Sequence, residues 1–354
     1  MPPLSLLIKP ASSACNLACR YCFYRDEACR RQVRDYGPMS QDTARWVIRR
    51  ALEEAQGDCT FAFQGGEPLL AGLDFFRFFL AEARRLSQGR LRLHWAVQTN
   101  GTLLNPQWAA FFAENQVLVG LSLDGPRELH DLHRPAPNGE GSFDRAVRGL
   151  SLLQSQGVMV NALSVVTPQS ARKARSVYRF LRGRGLEYLQ FIPCLPPLEQ
   201  EGKGGRWELS PEQYGEFLME LYRVFCESRE KGERVSVRYF DNLFSLLQGC
   251  PAESCGMTGR CTCQNLVEAD GSVYPCDFYA LDCWRLGRVQ EQSFAQMARS
   301  QPALRFYQRS LSHSPQCDQC RYFPLCGAGC FRERADGKNR WCEGLRAFFA
   351  LAVG

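Results

Sequence analysis

Three thiols stand within eight residues near the start of the chain, as Cys15-x3-Cys19-x2-Cys22. Cysteine thiolates that do not pair with one another bind soft metal centres. Three of them cannot complete a four-cysteine iron–sulfur site. They would hold three irons of a [4Fe–4S] cube and leave the fourth open to a substrate or cofactor. A second set lies far downstream: Cys255-x5-Cys261-x14-Cys276, then Cys317-x2-Cys320-x5-Cys326-x3-Cys330, then Cys342. Eight thiolates suffice for two complete four-cysteine sites, and spacing alone does not separate zinc from iron–sulfur there. Cys263, two residues after Cys261, is an alternative ligand. His130 and His133 could offer nitrogen to a metal, but with no third ligand nearby they read as structural or surface residues.

Composition supports a metal reading of the cysteines. There are 18 in 354 residues, and a chain of this length needs no disulfide staples to build a core. The opening MPPLSLLIKP lacks a charged region, a long apolar run and a small-residue cleavage site, so a cytoplasmic protein is expected, where disulfides are disfavoured. No stretch reaches the roughly 18 apolar residues that span a bilayer, so no membrane partner is expected. With 43 basic against 37 acidic residues the net charge of +6 is mild and spread, not the basic stripe of a nucleic-acid binder. At 45% hydrophobic and 23% charged residues, the chain is globular rather than disordered.

These thiols must be positioned by a scaffold, and hydrophobic patterning supplies one. Strands are predicted over 4–9, 60–64, 91–98, 117–123, 158–166 and 187–193, and helices over 40–55, 74–86, 106–114, 142–154, 168–182 and 211–230. A Gly-rich insertion at 202–205 precedes the last helix. Six βα units imply a parallel sheet with right-handed crossovers. Six are too few for the closed eight-stranded barrel, so an α/β fold with an open, partial (β/α)6 TIM-like barrel is expected, ahead of a doubly wound sheet. The site should then lie at the carboxyl ends of the strands. There stand the cysteine triplet, Gly65-Gly66-Glu67-Pro68, Thr99-Asn100-Gly101, Ser122-Leu123-Asp124-Gly125-Pro126 and Cys194-Leu195. From about residue 235 the strand–helix rhythm stops, and 11 of the 18 cysteines fall between Cys250 and Cys342. A division into 1–234 and 235–354 follows, with a hairpin around Asp270-Gly271 and, from Cys317, loop wrapped around metal before a C-terminal helix.

The segment Cys15-Asn16-Leu17-Ala18-Cys19-Arg20-Tyr21-Cys22 resembles the signature of the radical S-adenosylmethionine (SAM) enzymes, and Gly65-Gly66-Glu67-Pro68 resembles their site for the SAM amino group. Taken together, LLIKPASSACNLACRYCFY, FAFQGGEPLL, QTNGTLL and SLDGP…HDLHR resemble the anaerobic sulfatase-maturating enzymes over nearly the whole chain. The downstream cysteines resemble the SPASM extension, which holds two auxiliary [4Fe–4S] clusters.

The resemblance implies specific roles. Cys15, Cys19 and Cys22 would ligate the SAM-binding cluster. Tyr21 would contact the adenine region, Gly66 would accept the SAM amino group, Ser122 and Arg134 would hold its carboxylate, and Leu195 would lie against the adenine; Gln64 and Asn100 are further contacts. Cys255, Cys261, Cys276 and Cys330 would bind the first auxiliary cluster, and Cys317, Cys320, Cys326 and Cys342 the second. Asp277 would take the substrate proton. The implied reaction oxidises a cysteine or serine in a sulfatase Cys/Ser-x-Pro-x-Arg motif to Cα-formylglycine, in an unfolded or nascent sulfatase, with a flavodoxin or ferredoxin as low-potential electron donor. A monomer is expected. A thioether- or carbon–carbon-forming SPASM peptide maturase is the alternative.

Overall fold

Cys59, Phe61 and Phe63 are buried while Asp58, Thr60 and Ala62 between them are half-buried, the period-two pattern of a strand with one face on helices. That pattern recurs through the first half of the computed structural model, which describes residues 3–198 and 207–354. The predicted insertion at 202–205 lies outside the described residues. In chain order come β1 (Leu4–Ile8), α1 (Phe23–Cys29), α2 (Gln41–Glu54), β2 (Asp58–Phe63), α3 (Leu73–Ser87), β3 (Arg92–Thr99), α4 (Pro106–Glu114), β4 (Leu118–Ser122), α5 (Arg127–His133) and α6 (Phe143–Ser155). β5 (Val160–Val166), α7 (Pro168–Ala171), α8 (Ala174–Gly183), β6 (Tyr188–Pro193), α9 (Pro211–Glu230), β7 (Ser236–Val237) and α10 (Arg238–Leu247) follow. The last third holds β8 (Leu266–Val267), β9 (Ser272–Tyr274), β10 (Gly287–Arg288), α11 (Phe294–Met297), α12 (Gln301–Leu311), α13 (Pro315–Asp318), α14 (Phe323–Cys326) and α15 (Cys342–Val353).

Strands β1 to β7 lie parallel and in sequence order, with β7 at one edge of the sheet. All six predicted strands are present. The expected hairpin is β8–β9, and it does something the sequence did not reveal: β8 pairs in parallel with β1, Leu7 opposite Leu266, so the last third extends the barrel sheet. The single helix predicted over 168–182 is two: α7, whose start is fixed by a capping box between Thr167 and Ser170, ends at Ala171, and the chain re-enters helix at Ala174. Beyond Cys317, where loop was expected, α13 and α14 form single turns.

Two apolar cores fill the space between sheet and helices. One gathers Phe61, Phe63, Phe79, Trp95 and Trp108 under α2 to α4; the other gathers Phe191, Phe217, Phe240 and Phe348 under α8 to α10 and α15. The opposite face of the sheet carries Ser5, Gln64, Gln98, Asn161 and Gln190, which line a cavity of about 920 Å3. These positions face an open interior of mixed polar and apolar lining rather than a packed centre.

Candidate active site

The cysteine triplet occupies the loop between β1 and α1, and Cys22 is the residue from which α1 starts. Backbone bonds dock this loop on its neighbours: Ala18 N–H reaches Pro135 O (2.8 Å) and Arg20 N–H reaches His133 O (2.9 Å). Leu17 N–H points at Cys15 Sγ (3.4 Å), a donor suited to a thiolate. Burial pushes the Cys15 thiol up to about 12 and that of Cys19 to about 11, so in the protein alone they stay protonated. A positive metal centre would reverse this by favouring the thiolates.

Gly66 is fixed by contact. A methyl group there would overlap the carbonyl of Ala14, so only glycine lets the β2 loop lie against the cysteine loop. Glu67 beside it is buried and accepts from Leu69 N–H (3.1 Å), Asn100 N–H (2.8 Å) and Thr99 Oγ1–H (2.8 Å). Burial raises its carboxyl to about 7 against these three donors. Asn100 in turn donates to Asn16 Oδ1 (2.9 Å), tying the β3 loop to the cysteine loop. Three of the segments singled out in the sequence thus form one bonded unit.

Asp124, at the end of β4, is the hub of the other side. It accepts from both Nε and Nη2 of Arg134 (2.9 and 3.0 Å), from Val165 N–H (3.0 Å) and from the Tyr21 hydroxyl. Burial works against its charge, but the Arg134 guanidinium outweighs burial and holds the carboxyl below the usual carboxylate range. Arg134 therefore engages two of its five N–H donors with Asp124. The Ser122 hydroxyl accepts from Gln98 Nε2 (3.1 Å), and Leu195 packs half-buried on the second core. Gln64, just after β2, donates from its amide to Asp277 Oδ2 at 3.5 Å. His130 and His133 are both buried, bonded to Ser142 Oγ (3.0 Å) and Thr167 Oγ1 (3.1 Å), as structural histidines.

The downstream thiols fall into two groups by mutual electrostatic reach. Cys255 feels Cys261; Cys276 feels Cys255 and Cys330; Cys330 feels Cys255 and Cys261. Cys317 feels Cys320 and Cys342; Cys326 feels Cys317 and Cys342; Cys342 feels Cys320. Cys263 instead turns to Asn265 Oδ1 (3.3 Å). Among the described residues no three His, Cys, Asp or Glu side chains converge closely enough to hold a single metal ion. Asp277 follows Cys276 directly, lines the cavity, and burial pushes its carboxyl up.

Sequence reasoning missed the residues that hold these loops. Arg334 donates to the carbonyls of Ser310 (2.7 Å), Ser312 (2.8 Å), Gly259 (2.8 Å), Ala328 (3.2 Å) and Gly329 (3.2 Å), lacing both quartets' loops together. Nothing in its neighbourhood in the chain marks it. Asp124 and Glu67 did stand inside conspicuous motifs, but their partners are distant in sequence and could not be read.

Residues 10–181 match the family model of the radical SAM superfamily, and residues 255–321 match that of an iron–sulfur cluster-binding domain. The chain is 44% identical to the cysteine-type anaerobic sulfatase-maturating enzyme of Clostridium perfringens, over 99% of this chain and 97% of that one. It is 34% identical to the serine-type enzyme of Klebsiella aerogenes, over 98% of this chain and 85% of that one. The structure of native anSMEcpe with bound AdoMet and Cp18Cys peptide is similar at a TM-score of 0.94 and 43% identity, over 99% of this chain and 97% of that one.

Proposed function

Because the chain belongs to the anaerobic sulfatase-maturating enzymes of the radical SAM superfamily, we propose that it oxidises a cysteine, or a serine, of a sulfatase polypeptide to Cα-formylglycine. The observation that carries this reading is that Gln64, two residues before Gly66 in the loop after β2, donates to Asp277, the neighbour of Cys276, and both line the interior cavity. A cluster and SAM held at Cys15, Cys19 and Cys22 would supply radical hydrogen-abstraction chemistry toward the substrate Cβ, and clusters held by the downstream cysteines would supply a sink for one electron.

The protein's own groups do the rest. Cys15, Cys19 and Cys22 hold the SAM-binding cluster, and their number leaves one position for the cofactor. Tyr21, Gly66, Ser122, Arg134, Leu195 and Gln64 position SAM, with the Arg134–Asp124 pair giving the guanidinium a fixed direction. Cys255, Cys261, Cys276 and Cys330 hold one auxiliary cluster and Cys317, Cys320, Cys326 and Cys342 the other. Asp277 accepts the substrate proton at Oδ2, the oxygen facing Gln64; its burial makes it a better base than an exposed aspartate. Loss of that proton and one electron gives a thioaldehyde from cysteine, and water converts it to formylglycine with release of sulfide.

The 44% identity to a cysteine-type enzyme against 34% to a serine-type one favours cysteine as the residue oxidised. The protein acts in the cytoplasm, as a monomer, on an unfolded or nascent sulfatase, with a flavodoxin or ferredoxin as electron donor; among the described residues no helix is long and apolar enough to cross a membrane. The test is anaerobic incubation of the reconstituted enzyme with SAM, a low-potential reductant and a Cys-x-Pro-x-Arg or Ser-x-Pro-x-Arg peptide. Mass spectrometry should show the aldehyde in the cysteine peptide at the higher rate. 5′-Deoxyadenosine formed beside unchanged peptides would give the substrate to another class of peptide maturase.

A further inference from the structure

Helix α12 covers the first auxiliary quartet and turns an unusual face outward. Its buried side, Ala303, Phe306 and Ser310, lies on the quartet's loops, and Ser310 Oγ accepts from Cys261 N–H at 2.8 Å. Its outer side exposes Leu304, Arg305, Arg309 and Leu311, with the two leucines 41% and 59% exposed. The surrounding stretch 281–311 holds five arginines against two acids, and Arg285 and Arg299 are also exposed. A small apolar patch ringed by cations is the make-up of a transient, electrostatically steered contact.

Beneath this face the aromatic rings are continuous. The half-exposed Trp284 lies 5.4 Å from Phe306, and Phe306 lies 5.4 Å from Tyr279, which packs in one cluster with Cys276. Arg305 and Arg309 cap Trp284 at 5.9 and 5.5 Å from its ring. Here charge on the surface and a chain of aromatic rings below it lead toward Cys276 of the first quartet.

We propose that this face docks an acidic one-electron carrier protein and brings its redox group within reach of the first auxiliary site. The proposal rests on the reading of that quartet as a cluster site. The exchange moves a single electron between carrier and cluster; no bond forms or breaks, and the proton of the reaction leaves separately, through Asp277 to solvent.

The probe is an oxidised bacterial ferredoxin titrated anaerobically onto the holoenzyme at low salt. Replacing Arg285 and Arg305 by glutamate should weaken ferredoxin binding at least tenfold. The same charge change at Arg148 and Arg172, exposed on α6 and just after α7, should alter it less than twofold. Dithionite-driven formylglycine formation should persist in both double variants, which separates this proposal from the catalytic one. Trp284→Leu should keep the affinity but slow electron exchange with ferredoxin in stopped flow. Equal weakening by the two double variants, or none by the first, would overturn the proposal. So would loss of sulfatase-peptide binding with ferredoxin binding intact, because it would make the face a substrate surface.

Discussion

Asp277 and Gln64 meet although 213 residues separate them, and at this scale the chemistry is most exposed to test. Asp277→Asn keeps the shape and hydrogen-bonding reach of the side chain but removes the base. General-base catalysis of this kind contributes about 100-fold or more, so formylglycine formation should fall by about that factor while 5′-deoxyadenosine continues to accumulate. A proportional loss of both would show that Asp277 serves SAM cleavage instead. Asp124→Ala makes a different prediction. It leaves Arg134 buried without its counter-charge and Tyr21 without its acceptor, and breaking such a pair costs about 3–5 kcal/mol. The thermal unfolding midpoint should drop by several degrees; an unchanged midpoint would mean that Arg134 finds another partner. The cysteines were legible in the sequence because thiol type and spacing carry their own chemistry. Asp124 was quoted only as part of a turn motif, since nothing local shows that a carboxylate will meet an arginine ten residues on and a tyrosine 103 residues back. Arg334 was invisible, because its role is to satisfy carbonyls that exist only once the loops are folded.

Among the elements, the close approach of two loops gives the sharpest expectation. Gly66→Ala places a methyl group on the Ala14 carbonyl, so the β2 loop must move away from the triplet. SAM affinity should weaken at least tenfold by equilibrium binding, with absorbance of the auxiliary clusters retained; undiminished affinity would contradict the placement of Gly66 in the SAM site. The six parallel strands and their helices were legible because each strand buries one face and each long helix one stripe. Helix α12 and the short turns around the quartets were not. Their apolar residues pack on cysteine loops rather than on a sheet, and a periodicity that serves such a surface is short and broken by turn residues. The hairpin β8–β9 was legible as local structure, from Asp270-Gly271, while its pairing with β1 was not: parallel register between segments some 260 residues apart leaves no mark on either one.

At the scale of the whole molecule that pairing makes the cysteine-rich third part of the barrel wall, and a buried charge triad secures the joint. Glu268, following β8, is bound by Lys9 (2.9 Å) and Arg31 (2.5 Å), all three buried. Burial pushes its carboxyl up, but these two cations outweigh it and hold the group at about 2. Glu268→Gln would leave two cations uncompensated and should cost about 3 kcal/mol or more, seen as a lower unfolding midpoint of the holoenzyme; a neutral outcome would place the joint's stability in the sheet pairing alone. The joint matters for function because it ties β1, which leads into the triplet's loop, to the β8–β9 hairpin, which leads into Cys276 and Asp277. The central claim is that a peptide cysteine enters the interior cavity and loses a Cβ hydrogen there. The most direct measurement uses a Cys-x-Pro-x-Arg peptide deuterated at the cysteine Cβ, with the anaerobic holoenzyme, SAM and reductant. The account predicts one deuterium in each 5′-deoxyadenosine and one formylglycine formed with it. Unlabelled 5′-deoxyadenosine accompanying formylglycine would contradict it.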